Sequence, residues 1–182
     1  MENTNWWENN ETMDSGDDFY KMKVGANKMR ILTQFERVNS LFQGEFPNSK
    51  YVGKVADTYV PKAGEKVNLQ GWAWIIDRET GELKIGQFGK AILTQITALK
   101  NNPEYAFESF PMPYDIVINN TGEGANRYSI TPARQNTDIT AEEMEALNKK
   151  KTVADIILAM ENKQSKPVDY PEANETNIPD KF

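Results

Sequence analysis

Val67-Asn-Leu-Gln-Gly-Trp-Ala-Trp-Ile-Ile-Asp77, followed by Arg78-Glu-Thr-Gly81 and Leu83-Lys-Ile-Gly-Gln-Phe88, is the stretch on which the fold turns. Its β-branched and aromatic residues read as a strand. Asp77 to Gly81 reads as a hairpin turn with glycine at the left-handed position, and Leu83 to Phe88 as the return strand. Both faces of the first strand are apolar, with Trp72 and Trp74 on one and Ala73 and Ile75 on the other. One face must be core, and the other is either core as well or covered by a ligand, since exposed paired tryptophans are a liability. At least one tryptophan is expected to stack on a ligand; burial of both is the alternative.

Upstream, Tyr20 to Val24 and Lys28 to Phe35 read as two short strands around Gly25-Ala-Asn27, in which Gly25 and Asn27 tolerate positive φ. Met29, Ile31, Thr33 and Phe35 alternate with Lys28, Arg30, Leu32 and Gln34. Residues 36 to 66 are loop-rich, with Gly44, Pro47, Gly53, Pro61 and Gly64, and hold Phe42, Phe46, Tyr51 and Tyr59. Downstream, apolar residues at 92, 93, 96 and 99 predict a helix over 90–101, stopped by Asn101-Asn-Pro103. Tyr114 to Ile118 and Arg127 to Thr131 read as strands. Thr140-Ala-Glu-Glu143 and Thr152-Val-Ala-Asp155 read as the starts of two short helices. The pattern is mainly β with appended helices. A small Greek-key barrel of the OB type accommodates it, and so do other α+β arrangements.

Charge is unevenly placed. The chain has a formal net charge of −6. Residues 1 to 18 hold Glu2, Glu8, Glu11, Asp14, Asp17 and Asp18 with no Lys or Arg. Residues 167 to 182 hold Asp169, Glu172, Glu175 and Asp180 against Lys181. The body between them carries 20 Lys+Arg against 17 Asp+Glu. A mildly basic body with acidic ends suits a protein that binds a polyanion; tails that only aid solubility are the plainer explanation. Both ends read as disordered, although the adjacent Trp6-Trp7 are of a kind that docks on something. With no Cys and no His, disulfides, Cys or His zinc sites and Ser-His-Asp catalysis are excluded. No basic n-region precedes an apolar h-region, so no signal peptide is expected, and a cytoplasmic location fits.

Gly25-Ala-Asn-Lys28-Met-Arg30-Ile-Leu32, Trp72-Ala-Trp74-Ile-Ile-Asp77 with Lys84-Ile85, and the closing hairpin resemble, in that order, phage single-stranded-DNA-binding proteins with an OB fold. The closing hairpin comprises Tyr114-Asp-Ile-Val-Ile118, Gly122-Glu-Gly124 and Arg127-Tyr128-Ser-Ile-Thr-Pro132. The likeness covers roughly residues 20 to 135. Unlike the T-even phage helix-destabilising protein, the chain has no zinc ligands, so no cofactor is carried over. The resemblance implies an acidic arm (1–18), an OB nucleic-acid-binding domain (19–135), helices packed on it (136–166) and an acidic tail (167–182). The function it implies is coating single-stranded DNA in replication, recombination or repair, without catalysis.

Such binding needs cations for phosphates and aromatic faces for bases. Lys28, Arg30, Lys54, Lys84, Arg127 and Arg134, with Lys50 and Lys90 in reserve, are the candidate cations. Tyr51, Trp72, Trp74 and Tyr128 are the candidate aromatics. The alternative is a carbohydrate- or protein-binding module using Trp72 and Trp74 as a platform. Asp77, Glu79 and Glu82 sit around a turn where acids are ordinary, so no enzyme is expected. The end Asn177-Ile-Pro-Asp-Lys-Phe182 is similar in kind to bacterial partner-binding tails, which makes Ile178 and Phe182 candidate contacts for replication or recombination proteins.

Overall fold

The long strand Glu65–Asp77 (β4) organises the sheet, because three other strands pair with it. The computed structural model describes residues 18–45 and 48–164. β1 (Gly25–Ile31) and β2 (Glu36–Gln43) lie in succession along one edge of β4, β1 against Ile75–Asp77 and β2 against Glu65–Trp72. β5 (Leu83–Gly89) takes the other edge along Gln70–Ile76. β3 (Lys50–Lys54) pairs with β2, β6 (Ile116–Asn120) with β1, and β7 (Tyr128–Pro132) with β6. The result is a seven-stranded antiparallel sheet in the order β3-β2-β4-β1-β6-β7, with β5 beside β4.

Between β1 and β2 the chain bends at residues 32–35, where the β4 edge changes partner. Leu32 N–H donates to the Trp74 carbonyl at 2.9 Å, and Trp74 N–H donates to Thr33 Oγ1 at 3.0 Å. A threonine hydroxyl thus replaces the ladder carbonyl that the bend removes.

The helix Lys90–Asn101 (α1) lies between β5 and β7. Gln95 on α1 accepts from Ile130 N–H and donates to the Tyr128 carbonyl, both at 2.9 Å. Its amide occupies the edge of β7 as a strand would. No ladder joins β5 to β7 among the described residues, so the sheet is open. The helices Ala141–Lys149 (α2) and Val153–Gln164 (α3) follow. Thr140 and Glu143 form a reciprocal capping box on α2, and Thr152 accepts from Asp155 N–H at the start of α3.

Both faces of β4 are covered. Ala73 and Ile75 face Met29, Ile31, Phe88, Ile116 and Ile118, together with Ile92 and Ile96 of α1. Trp72, Trp74 and Ile76 face Leu32, Val38 and Ile85, beneath Val153 and Ile156 of α3. Phe88 curls back over Gly86, where a Cβ would lie 2.4 Å from the ring, so any larger residue there would force the Phe88 ring to move.

The described residues are mainly β with three helices, as the sequence predicts. Two expectations are corrected. Tyr20 to Val24 forms no strand: Asn27, 1 % exposed, binds this segment through its side chain. Asn27 Oδ1 accepts from Tyr20 OH and Lys23 N–H, and Nδ2 donates to the Lys23 and Gly25 carbonyls. The loop-rich residues 36 to 66 also contain β2, β3 and the first two residues of β4. The same segment is joined to β5, where Tyr20 N–H donates to the Ile85 carbonyl and Ile85 N–H donates to the Asp18 carbonyl. Among the described residues no helix is long and apolar enough to cross a membrane.

Candidate nucleic-acid interface

Beyond Val38, β2 and the first half of β4 continue with β3 as a three-stranded ribbon. Directly opposed residues of antiparallel strands share a face. Phe42 opposes Tyr51 on one side and Lys66 on the other, so Tyr51, Phe42 and Lys66 form one row across the ribbon. Tyr51 is 52 % exposed and meets Phe42 edge-on with ring centroids 5.7 Å apart. Partial burial pushes its hydroxyl pKa up. Lys50, beside Tyr51, and Lys66 are exposed and hold no ion pair among the described residues. A half-exposed aromatic face flanked by exposed cations can stack a base while its phosphates are neutralised.

The tryptophans are not part of any such surface. Trp72 is 1 % and Trp74 3 % exposed. Trp72 Nε1 donates to Gln70 Oε1 at 3.2 Å and its ring meets Phe19 edge-on at 5.3 Å. Trp74 Nε1 donates to the Lys151 carbonyl at 3.0 Å. The stacking role expected of at least one of them is corrected: α2 and α3 cover the face on which both lie.

Arg30 is likewise corrected from phosphate contact to internal support. It is 4 % exposed, and its Nε donates to Asp115 Oδ1 at 2.6 Å. Its remaining nitrogens donate to the Met112 and Thr137 carbonyls. Arg78 reaches the same Asp115 oxygen at 3.1 Å and bridges to Glu143 of α2 at 3.0 Å. Burial alone would raise the Asp115 pKa, but the Thr137 N–H and the two guanidiniums more than offset it and hold the carboxyl below its ordinary value. Lys54 is committed too: with its side chain 5 % exposed, Nζ donates to the Ile157 carbonyl and to Glu161 at 2.8 Å, fastening α3 to the ribbon.

The other candidates are dispersed. Lys28 is half-buried and donates to the Gln135 carbonyl at 2.8 Å. Lys84 pairs with Glu82 at 3.2 Å. Arg127 lies 4.8 Å over the Tyr128 ring, and both are partly buried at the β6–β7 end. Arg134 and Lys90 are exposed. Tyr51 and Tyr128 stand on strands at opposite ends of the sheet order, so the candidates do not converge on one groove. Ile178, Phe182, Trp6 and Trp7 lie outside the described residues. Phe42 and Lys66 share the row with Tyr51 and were not among the candidates drawn from the sequence; the alternation from Val38 through Ser40 to Phe42 was the available signal. No cluster of three or more Asp or Glu placed to hold a metal ion occurs among the described residues. No protein-family model matches this chain, and no curated protein or solved structure matches it either.

Proposed function

We propose that this chain is a sequence-independent single-stranded-DNA-binding protein, of the kind used in phage replication and recombination, whose stacking surface is the β2–β3–β4 ribbon. The observation that carries the reading is the row Tyr51–Phe42–Lys66 with Lys50 at its end. Tyr51 offers a base-sized face, Phe42 fixes its tilt, and the lysines neutralise the backbone of the strand lying across them. The order of elements supports the same reading. A bent first strand shared between β1 and β2, then β4, β5, α1, β6 and β7, follows the OB sequence of strands with its helix between the third and fourth. In this chain the outer face of β4 and β5 carries α2 and α3, which moves the candidate surface outward onto the ribbon. The alternative sugar or protein platform on Trp72 and Trp74 has neither ring exposed.

The test is retention of an oligo-dT by the purified protein against duplex of equal length across a salt series. Neutralising about three to five phosphates predicts a slope of log affinity on log salt near −2 to −3.5. No retention at low salt and micromolar protein would end this reading.

A further inference from the structure

We propose that the acidic N-terminal arm, residues 1 to 17, docks in cis on the lysine turn between α2 and α3 and on the cavity beside it. The described chain starts at Asp18, whose Oδ1 lies 3.6 Å from Lys150 Nζ, so the arm leaves the body at this turn. Upstream come Glu2, Glu8, Glu11, Asp14 and Asp17, with no Lys or Arg among them. The turn presents Lys149, Lys150 and Lys151 in succession, all exposed. Lys149 meets Glu145 at 2.8 Å, and Lys151 has no ion pair among the described residues. An acidic segment is thus joined to the body next to a run of lysines.

The cavity decides where the aromatic part of the arm goes. It has a volume of about 400 Å³ and is lined by Thr33, Gln34, Trp74, Leu147, Lys150 and Val153, with Glu36 its one acid. Lys150 Nζ sits 5.5 Å from the centre of the Trp74 ring. The half-buried Leu147 beside the cationic Lys150 and Lys151, above the buried Trp74 and Val153, suits the edge of an aromatic side chain flanked by carboxylates, which is what Trp6-Trp7 between Glu2 and Glu8 supplies. The chain from Asp18 back to Trp7 spans up to about 36 Å when extended, so reach is not limiting. Tethering at Asp18 gives the arm an effective concentration of order millimolar, which favours its own turn over that of a second copy.

The experiment measures acylation rates of lysine amines by mass spectrometry, with no nucleic acid present, so its outcome does not depend on the single-strand reading. Full-length protein is compared with protein lacking residues 1 to 17 and with the full-length variant E8Q/E11Q/D14N/D17N. Against an arm contact of about 0.1 mM dissociation constant, Lys149–Lys151 should react about tenfold faster once the arm is removed. The neutralised arm, and the native protein in about 0.5 M salt, should approach the same rate. Lys66 and Lys100 should not change. Equal rates in all proteins would overturn the inference. Protection that grows with protein concentration would overturn docking in cis and make a second copy the occupant. Full protection in W6A/W7A would overturn the place given to the tryptophans.

Discussion

Gln95 and Ile130 are joined as though they belonged to neighbouring strands: the side-chain Oε1 of one accepts the backbone N–H of the other at 2.9 Å. With the Tyr128 carbonyl bonded to Nε2, two backbone groups of β7 that a β5 ladder would have satisfied are satisfied by α1. Replacing Gln95 by Ala leaves both without that partner. We expect a loss of about 1–3 kcal/mol in urea unfolding, and faster amide exchange at Ile130. Unchanged exchange there would mean that water serves equally well.

Tyr51 and the buried tryptophans should separate binding from stability. Tyr51→Ala should weaken oligo-dT binding by about 1–3 kcal/mol with little change in melting temperature. Lys66→Ala should flatten the salt slope by about 0.7 if it neutralises one phosphate. Trp72→Ala should instead cost about 3–5 kcal/mol of stability. Melting curves run beside binding isotherms check all three.

Asp115 makes stability pH-dependent on the acid side. Its folded pKa is depressed, so the stabilisation is complete above the unfolded value near 4 and is lost as pH falls through the folded one. Asp115→Asn leaves Arg30 and Arg78 without their shared counter-ion and should cost about 3–5 kcal/mol at neutral pH. Urea midpoints followed from pH 6 downward should fall less steeply in the variant than in the native protein.

Tyr20 acts at the alkaline end. Burial first, then the charges of Asp77 and Glu79, push its hydroxyl up to about 12. The neutral phenol is the form the fold favours, so its contribution is intact below pH 10 and is lost as pH rises from there through about 12. Tyr20→Phe should remove that limb of the stability profile and lower stability at neutral pH through loss of the bond to Asn27. Spectrophotometric titration of the phenolate provides the independent check.

Glu161 of α3 is bonded to Lys54, so the chain leaves α3 beside the ribbon. Deleting residues 167 to 182, which are net acidic, should tighten oligo-dT binding at low salt through faster association. The gain should fade as salt rises. Equal affinities at every salt would leave the tail as a solubility device.

The parts legible in the sequence were those whose signals are local. The hairpin around Gly81, the helix ended by Asn102-Pro103 and the capping box at Thr140 each announce themselves within a few residues. β2 and β3 do not, because glycines at 44 and 53 and mixed polar residues read as loop until β4 supplies a partner. The fate of Arg30 was hidden for another reason: its counter-ion lies 85 residues away. Trp72 and Trp74 were undecidable from their own strand, since only helices more than 60 residues downstream determine which face water reaches.

The hydroxyl of Thr33 closes the last gap along β4. With β5 on one edge, β2 and β1 on the other, and Leu32 and Thr33 bonding Trp74 between them, the backbone of Gly71–Ile76 has no route to solvent in the folded state. Its amide protons can then exchange only when the whole sheet comes apart. That central strand therefore reports the free energy of global unfolding, while β3, paired on one edge alone, reports local fraying of the ribbon. The same molecule thus carries an internal clock for its own cohesion beside the surface proposed to meet DNA.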